Sequence, residues 1–174
     1  LIRPAVRLPR RFDDTLMTPP DTGDAIDDAL LTSLRAWCEG GAFPMLTERL
    51  RVARIAPRDG LDGAACELDG GHELARLSRW QGLRWRLGIL WRECVSMRVA
   101  RPRDPWDCGW LRAGSLGAAQ AFRPRRATLL LVRDPDPEFA QSLIAVLRSN
   151  SSAFTQPMRV LIVSAAEIAG IESL

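Results

Sequence analysis

The residues with most to offer chemically are the arginines. All 24 basic residues are arginine, and lysine and tyrosine are absent. Twelve of the arginines and five of the six tryptophans (Trp80, Trp85, Trp91, Trp106, Trp110) fall within residues 73–126. A guanidinium stays charged at every accessible pH, forks onto carboxylate or phosphate, and stacks on aromatic rings. Arg84, Arg86, Arg92 and Arg98 occupy even positions of the run Leu83 to Val99, whose odd positions are apolar apart from Glu93. On a strand, that alternation lines the four arginines along one face as a cationic strip. Such a strip binds phosphate backbones, and exposed aromatics beside it stack bases. The competing reading is a solvated face whose arginine stems pack over the sheet and pair with nearby acids.

Three smaller constellations also carry chemistry on paper. Asp134-Pro-Asp-Pro-Glu138 follows an apolar run, and the carboxyl ends of parallel strands are where α/β proteins place their sites. Asp134 and Asp136 there could hold a magnesium ion for metal-dependent hydrolysis. Helix capping by Asp136, with Pro137 and Glu138 in the first turn, accounts for the same residues without a metal. His72, the single histidine, stands between Asp69 and Glu73 near a turn signal, where a solvated histidine is the commoner outcome. Ser115 lacks the G-x-S-x-G spacing of a nucleophile elbow. Without lysine there is no Schiff-base lysine, lysine general base or Walker-type phosphate lysine. With one histidine and no C-x-x-C, the expectation is no metal and no cofactor.

At 174 residues, the length suits one domain that buries roughly 70% of its unfolded surface. Residues 1–11 carry four arginines and no acid; 12–72 carry twelve acids against five arginines; 73–126 carry twelve arginines against four acids. The formal net charge of +3 therefore conceals a basic middle beside an acidic flank. Loss of lysine, tyrosine and nearly all asparagine together points to codon bias in a GC-rich genome, not to selection against lysine. No apolar run approaches the roughly 18 residues of a membrane span, so a soluble chain without membrane contact is expected. Cys38, Cys66, Cys94 and Cys108 are read as reduced, and the cytoplasm is the expected compartment. The arginine-rich, acid-poor start makes an organellar matrix the alternative.

The elements that must position these residues follow from periodicity. Residues 1–22, with Pro4, Pro9, Pro19 and Pro20, read as an extended arm, and 23–174 as a single domain. A helix is expected over 25–39 behind an Asp24 cap, and a second from Pro44. A strand is expected over 51–55 and a hairpin turn at Asp69-Gly70-Gly71. The Leu83–Val99 run reads as strand, broken near Arg92. Leu77, Trp80, Leu87, Trp91 and Cys94 offer a helical alternative. Residues 101–126 read as connection with a short helix at 112–121. Strand 127–132, helix 137–149 and strand 158–163 form a βαβ signature, followed by a helix from Ala165. The expected fold is α/β, or mixed α+β: N-terminal helices, an antiparallel meander, then a βαβ unit on a mixed sheet. The expected function is a non-enzymatic interaction or assembly module, a subunit of a larger complex that meets a protein partner through the arginine and tryptophan surface. Nucleic acid or another polyanion on the Arg84, Arg86, Arg92 and Arg98 strip is the alternative, and hydrolysis at Asp134 and Asp136 the third reading.

Overall fold

A computed structural model describes residues 16–21, 23, 25–42, 45–70, 78–95, 104–124, 126–168 and 170–174. The strands run Met17–Thr18 (β1), Leu50–Ile55 (β2), Asp107–Leu111 (β3), Thr128–Arg133 (β4), Met158–Val163 (β5) and Glu172–Ser173 (β6). The helices run Asp28–Glu39 (α1), Leu61–Leu68 (α2), Arg79–Val95 (α3), Leu116–Ala121 (α4) and Pro137–Asn150 (α5). β4 and β5 are apolar on both faces, as strands covered on both sides must be. They pair in parallel from Thr128 opposite Met158 to Arg133 opposite Val163. The full order is β1-β3-β4-β5-β2-β6, with β1 antiparallel to β3 and every other pair parallel.

The two-residue alternation of the strands divides the core into two layers. Leu129, Leu131, Leu161, Val163, Ala53 and Ile55 pack beneath α1 and α2. Leu130, Val132, Met158, Val160 and Ile162 pack against α4 and α5 on the opposite face. The α/β architecture on a mixed sheet is therefore as expected, and the βαβ unit forms where its periodicity puts it. No helix among the described residues is long and apolar enough to cross a membrane.

Several local expectations fail. The run from Leu83 is helix, not strand: α3 is continuous from Arg79 to Val95, and 96–99 lie outside the described residues. Only Ile89 and Val95 in α3 are β-branched, while arginine, leucine, glutamine and glutamate favour helix. A capping box starts it: the Gln81 N–H donates to Ser78 Oγ at 3.4 Å, and the Ser78 N–H donates to Gln81 Oε1 at 3.3 Å. No antiparallel meander forms among the described residues. Cys66 to Leu68 close α2 instead of entering a hairpin, and 71–77 lie outside the described residues. Met45 to Glu48 are not helical; the Thr47 and Glu48 N–H groups donate to the Gly41 carbonyl. Among the described residues no helix follows Ala165, where the chain bends before β6. α1 is capped by Asp27, not Asp24: its carboxylate accepts from the Ala29 and Leu30 N–H groups and pairs with Arg58 at 2.8 Å. The Leu30 hydrogen bond, with Ala29 and Arg58, holds that carboxyl below its ordinary range. β3 falls within the stretch expected to be connection, and Met17–Thr18 of the expected arm joins the sheet as β1.

Among the buried charged residues, Arg159 is the most completely enclosed. Arg159, on β5, is fully buried, and carbonyls satisfy it. Its Nε donates to Cys38 O at 3.0 Å, its Nη2 to Gly40 O at 2.7 Å, and its Nη1 to Glu48 O and Met158 O at 3.0 and 3.1 Å. Cys38 and Gly40 close α1, whose last carbonyls have no intrahelical donors and carry the negative end of the helix dipole. Burial lowers the guanidinium pKa from its ordinary value, and the same burial raises that of the Cys38 thiol, leaving the thiol un-ionised and inert. Arg159→Met strands these carbonyls and should destabilise the fold by about 3 kcal/mol or more in urea titration. Arg159→Lys, whose single ammonium cannot span them all, should recover only part of the loss.

Candidate functional site

The surface that departs most from an ordinary monomer lies on α3. Trp80 is 81% exposed, Leu83 48%, Leu87 55% and Trp91 69%. Spacings of three and four residues put all four on one side of a helix. Arg84, also exposed, stands one residue beyond Leu83 within that side. Large apolar side chains scattered singly need no explanation, but a contiguous row of four does.

The opposite side of α3 is fixed to the body. Gly82 is buried and Trp85 half-buried. Gly70, which closes α2 with φ +75°, makes room for the Trp85 indole. A Cβ built there would lie 3.1 Å from Trp85 Cη2 and 3.2 Å from Pro105 Cβ. The neighbouring backbone is held by the Trp106 N–H, which donates to Leu68 O at 2.9 Å. Glycine is thus required twice, by backbone handedness and by the indole.

The helix changes what the predicted arginine strip means. Residues two apart lie roughly 200° apart around a helix, so Arg84 and Arg86 do not share a face. Arg92 is also on α3, and Arg98 lies outside the described residues. Of the four, only Arg84 has a described side chain, and it is exposed. A mixed apolar and cationic helix face replaces the uniform cationic strip. Its capping box and its steps of three and four were both readable in the residues; Trp85 as an anchor was not, because Gly70 meets it only in three dimensions.

The carboxyl edge of the sheet holds the other candidates. Asp134 has φ +36°, a conformation aspartate tolerates better than most residues, and its N–H donates to Val163 O at 2.9 Å. Asp136 takes the N-cap position of α5 without a side-chain capping hydrogen bond. Both are exposed, and no cluster of three or more His, Cys, Asp or Glu among the described residues could hold a metal ion. Beside them Arg133 stacks over Trp110, 4.3 Å from the ring centroid. The Trp110 indole N–H donates to Asp62 Oδ1 at 2.6 Å, and that oxygen also accepts from the Asp21 N–H at 3.1 Å. These contacts tie the end of β3 to the start of α2 and the segment after β1, a structural role that occupies the edge with its own side chains. Ser115 precedes α4, and its hydroxyl donates to Arg112 O; His72 lies outside the described residues.

No family model matches the chain, and neither does any curated protein or solved structure. Gly70→Ala should cost about 1–2 kcal/mol from the left-handed backbone alone. Because Trp85 must also move, exchange of the α3 amide protons should accelerate more than exchange in β4 and β5. Equal acceleration in the three elements would contradict an anchoring role for Gly70 and Trp85.

Proposed function

We propose that this chain is an interaction or assembly module without a catalytic centre of its own, and that α3 is its contact surface. The observation that carries the reading is the row of Trp80, Leu83, Leu87 and Trp91 on a helix whose other side is anchored. At those exposures the four side chains leave on the order of 400 Å² of apolar surface in water. Covering it yields roughly 10 kcal/mol of gross hydrophobic free energy. Association costs about 4–15 kcal/mol in lost freedom, so the row alone supports only weak attachment. The arginines beside it supply the remaining affinity and the specificity. Tryptophan and arginine are the residues enriched at interface hot spots, which supports a protein partner and membership of a larger complex.

Nucleic acid is the second reading, favoured by exposed Arg84 between the two exposed tryptophans. Two leucines in the middle of the row speak against it, since they neither stack bases nor neutralise phosphate. Binding of DNA or RNA that weakens steeply with salt, and is lost in Arg84→Gln, would favour this reading over a protein partner.

Exposed positions tolerate charge without loss of fold, so the double variant Leu83→Glu, Leu87→Glu should melt within about 2 °C of the parent. In extract of the native cells, the parent should sediment above its own 19.3 kDa and the double variant as the free chain. Equal sedimentation of the two would count against α3 as the contact surface.

A further inference from the structure

The row on α3 has the geometry of a seam. Counting from Trp80, positions at steps of three and four are Trp80, Leu83, Leu87, Leu90 and Cys94, the spacing of a and d in a heptad. Trp80, Leu83 and Leu87 are exposed, so the first half of this seam faces outward. These positions cover roughly 80° of the helix circumference, narrower than the face of a core helix and of the width that pairs with one other helix. The positions bordering the seam are Arg79, Arg86 and Glu93 on one side and Arg84 and Trp91 on the other. Counting Arg92 as well, α3 carries four arginines against the single acid Glu93.

Resting on the reading of α3 as the contact surface, we infer that its occupant is an acidic amphipathic helix presented by a different protein. Leucine-type residues on that helix fill the seam between Trp80 and Leu87, and its Asp or Glu side chains receive the bordering arginines. Arginine suits this arrangement because its fork takes a carboxylate in two hydrogen bonds. Charge selects against a second copy of the chain. In parallel register, two copies of α3 would set Arg79 of one against Arg84 of the other. Antiparallel register would set Arg86 against Arg86, and either pairing brings six bordering arginines together with two acids. A bilayer surface is matched less well, because the seam is narrow and Arg84 stands at its border. The length agrees as well: 17 residues give a helix roughly 25 Å long, enough for a partner of two to three heptads.

The test uses the whole chain and a synthetic peptide of about three heptads, with Leu at a and d and Glu at e and g. A companion peptide carries Lys at e and g. Anisotropy of the labelled peptides should show the acidic one binding at least tenfold tighter than the basic one, and weakening with salt. Binding should vanish in the double variant Leu83→Glu, Leu87→Glu and weaken severalfold in Arg84→Gln. Equal binding of the two peptides would overturn the charge argument. Binding instead to phosphatidylglycerol vesicles or to an oligonucleotide, or self-association abolished by Leu87→Glu, would overturn the acidic-helix inference while leaving α3 as the contact surface. Failure of the acidic peptide, the vesicles, the oligonucleotide and a second copy alike would overturn the inference and the α3 reading together.

Discussion

A guanidinium occupies a position where the central strand of a sheet covered on both faces ordinarily presents an aliphatic side chain, and much of the fold is arranged to receive it. Arg159 stands on β5, between β4 and β2 in the sheet. Its carbonyl partners include both sides of the chain linking α1 to β2: Cys38 and Gly40 at one end, Glu48 at the other. One side chain therefore sets where α1 ends and where β2 begins. The register follows, with Leu50 opposite Met158 immediately beyond. Burying a charge is costly unless hydrogen bonds replace its water. Here two of the acceptors, the Cys38 and Gly40 carbonyls, are ones that a helix end would otherwise leave unsatisfied, so two deficits offset each other.

Legibility in the sequence tracked how local the determinants are. β4, α5 and β5 were readable because their signal is their own: Leu129 to Val132 and Val160 to Val163 are apolar without interruption, and the helix between them starts at Asp136-Pro137. α3 misled because its signal satisfies two periods at once. Leu83, Leu87 and Trp91 lie four apart, and steps of four are also even, so they fit strand alternation as well as a helical face. The capping box at Ser78 and Gln81 and the scarcity of β-branched residues break the tie. β3 was not legible at all. Asp-Cys-Gly-Trp-Leu has little strand character, and tertiary context supplies the rest: Asp107 is buried against Arg126 at 3.0 Å, and its N–H donates to the Ala127 carbonyl.

Topology explains why α3 has a face to spare. β2 and β3 are separated in the sheet by β5 and β4, so the connection from 56 to 106 must pass over two strands. α1 and α2 already cover that face of the sheet. A further helix in the same connection can attach only at the margin, and α3 does so through Trp85 at the end of α2. A helix built only for connection would carry polar residues on its outer side. Trp80, Leu83, Leu87 and Trp91 have no such origin, and sheet packing does not account for them.

The arginines divide by the same logic into two populations. Those placed by the fold spend their forks internally. Arg159 binds carbonyls at the end of α1, Arg126 binds Asp107, Arg49 binds the Phe154 carbonyl at 3.0 Å, and Arg54 the Ser164 carbonyl at 3.2 Å. In each case a planar, permanently charged donor links segments far apart in the sequence, which a lysine ammonium does less well. Arg84 is exposed beside an apolar row. The same guanidinium chemistry that holds the fold together is what the proposed contact would use, and α3 itself supplies only one acid, Glu93. In the contact proposed for α3, charge imbalance, more than hydrophobicity, sets the direction: four arginines against one acid favour an acidic partner over a second copy.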